Sequence, residues 1–372
     1  MGQALRSVVL SYDFSDASAD IVQLQRKYDR DGITGELLIL CFGATARTQS
    51  NGRITVVSKR ARLGTLRPLY DLLFIYFAPR IVVEKQFQPQ EIIIADFALA
   101  WAAHMVKRMC GGKVILRLSG LLSEVAQTRS ILHFFYARLN EFFTRRMIDE
   151  YVAINGTTRN YLLARGIAPE RIRIQTPNTI NKIDAERARA QIGSVRARFN
   201  IPKHAAIILS VGRLEREKGF DELLRMYAAS EVDAYLLIVG GGALRLELAT
   251  LTKALGVAQR VVFVGAIPHE KIWDFYADAD VFVLLSKSEA LGLVVWEAMY
   301  MGLPVIGRRT GGILESIGEN EERGIFWDTK DGATSFRASV EQCIERGEGV
   351  LKRIERARAY VVEQLAGGLG AR

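Results

Sequence analysis

VVFVGAIPHEKIWDFYADADVFVLLSKSEALGLVVWEAMYMGLPVIG, residues 261–307, repeats one pattern. An apolar run ends, a helix-length segment follows, and a new apolar run begins. VVFVGAI (261–267), VFVLLS (281–286) and PVIG (304–307) read as strands, apolar throughout and rich in β-branched residues. Strands without a polar face, separated by helices, predict a parallel sheet covered on both sides. In such sheets ligands bind beyond the carboxyl ends of the strands. The informative residues are therefore those that follow strands. In SKSEAL (286–291) a loop carries Glu289, and the spacing of LVVWEAMYM from Gly292 onward suits a buried helix.

The same alternation extends in both directions. Toward the C-terminus GIFW (324–327) reads as another strand, and toward the middle AAIILSVG (205–212) and AYLLIVGGG (234–242) do so. The first half offers SVVLSYD (7–13), ELLILCFG (36–43), ITVVS (54–58), EIIIAD (91–96), KVILRLSG (113–120), YVAIN (151–155) and IRIQTP (172–177). Helical patterns such as 19–32 and 97–110 fill most of the gaps. The two series meet at a polar stretch, 178–203, which begins as linker and continues as a helix. The expectation is two Rossmann-like domains of ordinary size, 1–177 and 178–372.

Two post-strand loops of the second half suit an anionic, hydroxyl-bearing ligand. After Gly212, Arg213 and Lys218 flank a short loop and Gly219 opens a helix. Cations beside a helix N-terminus favour negative charge, through free amides and the helix dipole. The alternative is a solvated turn of mixed charge. Gly292 and Leu293 would offer amides at a second helix start, with no side chain on Gly292 to obstruct a phosphate. Glu289 sits at the mouth. Glu297 lies about a turn into the helix, and a carboxylate accepting from a vicinal diol is the usual way to hold a ribose. Its alternative is a carboxylate exposed at the end of an otherwise buried helix.

Taken together, SVGRLEREKG (210–219), LLIVGGGALRLEL (236–248), the stretch 261–307 with its pair of glutamates eight residues apart, and the Gly311-Gly312 pair resemble the retaining, GT-B-fold glycosyltransferases of family four, the group 1 glycosyltransferases. That resemblance implies an α/β fold of two Rossmann-like domains facing across a cleft. The basic first domain binds an acceptor and the second binds a nucleotide-diphosphate-sugar donor. It implies that Arg213 and Lys218 bind the diphosphate, that Glu289 contacts the transferred sugar, and that Glu297 holds the ribose. Gly292 and Leu293 offer amides to the sugar-phosphate end, and the loop around Gly241 lies near the base, with Gly212 at the entry to the site. Arg213, Lys218 and Glu289 are then the catalytic group, without a metal or cofactor.

The first half resembles the family in strand order more than in motifs. Members usually carry a glycine-rich loop after the first strand. SYDFSDASAD (11–20) has none, which leaves Ser15 and Asp16 on the acceptor side. Where many members have a histidine after the strand equivalent to KVILRLSG, this chain has Ser119 before Gly120, and a serine there can only hydrogen-bond. PNTIN (177–181) replaces the commoner P-N-G-[VI]-D, Ala290-Leu291 replaces Gly-Phe, and the tail after Tyr360 is short. Two rival readings follow: a sugar-nucleotide 2-epimerase of the same architecture, or a glycosyltransferase-like binding subunit without catalysis.

Other features narrow the class. Of 372 residues, 49% are hydrophobic and 24% charged, as in soluble globular proteins. The three cysteines lack metal-ligand spacing and suit a reducing compartment. No signal peptide is visible and no apolar run reaches the ~18 residues of a membrane span. The net charge of +9 is unevenly placed: 24 Lys and Arg face 15 Asp and Glu through Pro177, and 26 face 26 from Asn178 onward. An anionic partner for the first half follows, and a membrane surface fits better than nucleic acid, for which no recognition motif is present. ILHFFYARLNEFFTRRM (131–147) is aromatic and basic. It suits a helix at a membrane interface, or a core helix whose arginines snorkel outward. The expected setting is cytoplasmic, peripheral on the inner membrane face, with a lipid-linked or saccharide acceptor. Asp278-Ala-Asp280 matches a metal-binding D-x-D but stands where capping and surface charge are the simpler reading. GGGALR (240–245) lacks the third glycine of a dinucleotide fingerprint. Ser286 and Ser288 lack the partners of a hydrolase triad.

Overall fold

A computed structural model describes residues 5–11, 34–43, 46–60, 67–118, 131–175 and 180–370. The chain forms two compact units, Met1–Gln175 and Thr176–Arg372. The first contains strands β1 (Leu5–Ser11), β2 (Thr34–Gly43), β3 (Arg47–Ser50), β4 (Ile54–Arg60), β5 (Glu91–Ile94), β6 (Lys113–Leu118), β7 (Glu150–Ala153) and β8 (Ile172–Ile174). Its helices are α1 (Arg67–Glu84), α2 (Ala100–Cys110), α3 (Ile131–Thr144) and α4 (Gly156–Leu163). The sheet order is β3-β4-β2-β1-β5-β6-β7-β8, parallel except for β3, which runs antiparallel to β4.

Along the central strands both parities are buried, as parallel sheets require. Val8, Leu10, Leu40 and Ile94 join Phe74 and Val82 of α1 and Ala103 and Val106 of α2 in one cluster. Their alternating neighbours Val9, Ile39, Cys41 and Ile93 form a second cluster. Each large apolar side chain so buried contributes about 1.5–3 kcal/mol. Crossovers from β4 through α1, α2 and α3 to β7 all advance the same way across the sheet, so right-handedness puts these helices on one face. Pro79 lies inside helix α1, in the run LLFIYFAP (72–79). Helix α1 continues through it, giving up the bond that an N–H at Pro79 would make to the Ile75 carbonyl.

In the second unit the linker region forms α5 (Lys182–Arg189) and α6 (Ser194–Arg198). The sheet then consists of β9 (Ala206–Val211), β10 (Ala234–Val239), β11 (Val261–Gly265), β12 (Val281–Leu284), β13 (Val305–Gly307) and β14 (Ile325–Phe326). Between and after these strands lie α7 (Phe220–Ser230), α8 (Arg245–Ala254), α9 (Ile272–Asp278), α10 (Leu293–Met301), α11 (Gly311–Ile317), α12 (Gly332–Glu345) and α13 (Glu348–Gly370). The order β11-β10-β9-β12-β13-β14 is parallel throughout. Strand β9 comes first in the chain, β10 and β11 are laid to one side of it, and β12 to β14 to the other. The winding direction therefore reverses between β9 and β12. That reversal opens a crevice at the carboxyl ends of these two strands.

Candidate active site

The loops that leave β9 and β12 carry the residues singled out in the sequence, and backbone bonds tie them together. Lys287 donates its N–H to the Glu217 carbonyl at 2.7 Å, and the Ser286 hydroxyl lies 3.1 Å from the same oxygen. Gly219, at φ +67°, starts α7. A Cβ there would sit 2.3 Å from the Leu285 carbonyl oxygen, so only glycine lets the two loops approach this closely. The loop after β13 joins them. Thr310 donates its hydroxyl to the Ser286 carbonyl at 3.0 Å, and Gly312 its N–H to the Glu289 carbonyl at 2.7 Å. The region around Glu289 is thus fixed by backbone on two sides.

Within this frame Lys218 Nζ stands 2.6 Å from Glu289 Oε2, each side chain 15% exposed. Gly292, left-handed at φ +72°, is the N-cap of α10, and the amides of Leu293 and Val294 precede the first intrahelical bond, from Val295 to the Gly292 carbonyl. Lys218, Glu289, Gly292 and Leu293 therefore meet at the reversal point. Arg213 is placed differently. Its guanidinium is 68% exposed and paired within its own loop, to Glu215 at 2.8 Å and Glu217 at 3.3 Å. That is the mixed-charge turn, which coexists with a largely covered Lys218. Gly212 donates its N–H to the Val239 carbonyl and Leu214 donates to the Gly241 carbonyl at 2.8 Å, which joins the loops after β9 and β10.

Glu297 is not an exposed carboxylate at the end of a buried helix. It is 3% exposed. Tyr276 donates its hydroxyl to Oε2 at 2.9 Å, and His269 Nε2 lies 2.9 Å from Oε1. Burial, reinforced by the neighbouring Glu297 charge and their hydrogen bond, pushes the Tyr276 phenol well above its ordinary range, so it stays a donor. His269 lies on the turn before α9 and Tyr276 within α9; neither was expected at the site. The available signal was the glutamate itself: a carboxylate inside LVVWEAMYM demands polar partners from another element.

Asp278 and Asp280 are structural, the first buried and the second partly exposed. Asp278 is 3% exposed and accepts the N–H of Val195 at 2.7 Å and of Arg196 at 3.1 Å, along with that of Gly193, so it caps the short helix α6 rather than its own. Asp280 accepts from Ile207 N–H at 2.8 Å and pairs with Arg196 at 2.9 Å. Among the described residues no cluster of His, Cys, Asp and Glu is arranged to hold a metal ion. Ser15, Asp16, Ser119 and Gly120 lie outside the described residues.

Comparison with known proteins bears on the family and the fold. The family of glycosyl transferases group 1 matches residues 192–360. A D-inositol 3-phosphate glycosyltransferase of Acidothermus cellulolyticus is 33% identical over 49% of this chain, which spans only 42% of that relative's length. An N-acetyl-alpha-D-glucosaminyl L-malate synthase of Bacillus anthracis is 28% identical over 67% of this chain and 74% of its own. Among solved structures, sucrose-phosphate synthase from Thermosynechococcus elongatus aligns with a TM-score of 0.75 at 21% identity, covering 98% of this chain and 97% of that one. Anabaena HepE, crystallised with UDP and glucose, aligns at 0.69 and 16%, covering 99% and 100%. Likeness at such identity establishes the architecture, two Rossmann-like domains of the GT-B type. Residues 192–360, whose post-strand loops converge where the sheet's winding reverses, match the family of glycosyl transferases group 1.

Proposed function

We propose that the protein is a retaining glycosyltransferase. It would move a sugar from a nucleotide-diphosphate-sugar donor held by the second domain to an acceptor held by the first. The observation that carries this reading is the meeting of Lys218 and Glu289 beside the start of α10. When a donor binds, its diphosphate takes the ammonium of Lys218 and the amides of Gly292 and Leu293. The carboxylate of Glu289, released from its ion pair, accepts hydroxyls of the transferred sugar. Arg213 exchanges Glu215 and Glu217 for phosphate oxygens, and Glu297 accepts the ribose diol. As the glycosidic bond breaks, charge accumulates on the leaving nucleoside diphosphate. Two cations and a helix N-terminus neutralise it in this reading, which therefore assigns no role to a metal or cofactor.

The acceptor we favour is lipid-linked, or a polysaccharide precursor, at the cytoplasmic membrane face. The positive excess confined to the first half supports it. No helix among the described residues is long and apolar enough to cross a membrane. That HepE was crystallised with UDP and glucose makes UDP-glucose a sensible first donor to try.

The test is release of nucleoside diphosphate from a panel of sugar nucleotides, with and without an extracted lipid acceptor. Acceptor-dependent release from one donor is the expected result. Conversion of the sugar nucleotide without release would indicate a 2-epimerase, and donor binding with neither outcome a non-catalytic subunit. Lys218→Gln, which keeps a hydrogen bond to Glu289, should lower kcat on the order of 10²–10³-fold.

A further inference from the structure

Helix α3 of the first domain is inverted relative to a surface helix. At its described positions the inward side chains are Glu141 and Thr144, 8% and 0% exposed. Outward stand Phe135, Leu139, Phe142 and Phe143, between 57% and 65% exposed. The spacing 135, 139, 142 is one stripe of a helix. Buried Glu141 is neutralised from within, by Arg165 at 2.5 Å and Arg138 at 3.4 Å, and stands 3.4 Å from the Tyr161 hydroxyl. The aromatic stripe carries no acidic residue. Arg138 flanks it, half-exposed, Arg145 stacks over the Phe142 ring at 4.9 Å, and Arg146 beyond the helix end is exposed. Behind the stripe a cleft of about 490 Å³ is walled by Phe97, Leu162 and Ile167, with Arg165 at its side.

Aromatic rings held outward and edged, among the described residues, by arginines match a surface that is apolar below and anionic above. We propose that α3 and this cleft dock the first domain on a leaflet of anionic phospholipid. The stripe Phe135–Leu139–Phe142 enters the interfacial region, and Arg138 and Arg146 meet lipid phosphates. The sign of the charge selects this occupant, since the whole positive excess of the chain lies in this half. The inference rests on the membrane-linked acceptor for its place in the reaction, and on α3 alone for its physics.

The full chain is co-sedimented with phosphatidylcholine vesicles, with and without phosphatidylglycerol, at low and high salt. Binding of nucleoside diphosphate is measured in parallel without vesicles. Partition onto the anionic vesicles, weakened by salt, is expected. Arg138→Gln with Arg146→Gln should lose roughly five-fold per arginine. Phe135→Ser with Phe142→Ser should lose at least about ten-fold, with nucleotide binding unchanged. Should the serine variant fail to bind nucleotide, the arginine variant decides. Equal binding to neutral vesicles, no vesicle binding, or variants that alter only self-association of the chain would each overturn the proposal. Vesicle binding without nucleotide binding would defeat the donor-site reading and leave the docking surface standing.

Discussion

Glu297 shows how one residue sets two requirements at once. A carboxylate at 3% exposure is costly unless each oxygen has a partner. Tyr276 supplies one from within the aromatic cluster it forms with Trp273 and Phe282. His269 supplies the other from a turn where its side chain is half-exposed. The tyrosine is fixed by its packing. In the proposed donor complex the half-exposed histidine is the partner that a ribose diol would displace. Glu297→Gln keeps the shape and a hydrogen bond to Tyr276 but loses the charge. Charge-assisted bonds contribute roughly 1.5–3 kcal/mol, so nucleoside diphosphate should bind about 10–100-fold more weakly, with little change in melting temperature. Tyr276→Phe does the reverse: it strips a partner from a buried carboxylate and should cost about 1–3 kcal/mol of stability. Calorimetric titration and thermal unfolding of the two variants separate the roles. Unchanged nucleotide affinity in Glu297→Gln would remove the residue from the donor site.

Between elements, the second domain is pinned by Glu222 in the first turn of α7. Its carboxylate pairs with Lys287 after β12, at 2.7 Å, and with Arg308 after β13, which also reaches Asp328 at 3.4 Å. Burial works to raise the pKa of Glu222, but hydrogen bonds and charge from Lys287 and Arg308 outweigh it, and the net direction is downward. A carboxylate depressed by folding stabilises above its unfolded value and loses that contribution as pH falls through its folded value. Glu222→Gln should therefore cost about 1 kcal/mol at neutral pH, once solvent screening is allowed for. Its urea midpoint should converge on the parent's as the pH falls below about 4. A constant gap across pH would show that packing, not charge, makes the link. Neither partner of Glu222 could be inferred from the chain, because their meeting depends on three strands lying in order. What periodicity conveys is the strands themselves: the apolar runs of β5, β9 and β12 announce them directly. Strand β3, RTQS, has no apolar alternation and exists only through its ladder to β4. Helix α1 is apolar on nearly every side around LLFIYFAP, so it shows no face, and its proline suggests an end that the structure does not have. At the site, Glu289, Gly292 and Glu297 stand in one loop and helix and are legible together. His269 and Tyr276 join them only through the packing of α9 on α10. For α3 the composition leaves two orientations, and the buried Glu141 decides between them.

At the scale of the molecule, the two units differ in charge and in what they bury. The first closes its core between sheet and helices around residues such as Leu10, Ile94, Phe74 and Val106. The second does so around Ile208, Leu236, Phe220 and Trp327. Neither cluster draws residues from the other unit. A chain built this way need not unfold in one step, since multidomain proteins commonly depart from two-state behaviour. Lys218, Glu289 and Glu297, which we propose hold the donor, all belong to the second unit, so a ligand that contacts them should stabilise that unit first. With free nucleoside diphosphate at about a hundred times its Kd, the gain is roughly 2.7 kcal/mol. Scanning calorimetry should accordingly resolve two transitions, of which nucleotide raises one. Ile94→Ala, which deletes atoms from a fully buried position in the first unit, should cost about 2–5 kcal/mol and lower the other transition. If nucleotide and Ile94→Ala instead move a single common transition, the units unfold as one body and the separate cores do not act separately. If nucleotide raises the same transition that Ile94→Ala lowers while a second stays fixed, the donor is held by the first unit, and the assignment of Lys218, Glu289 and Glu297 to it is wrong.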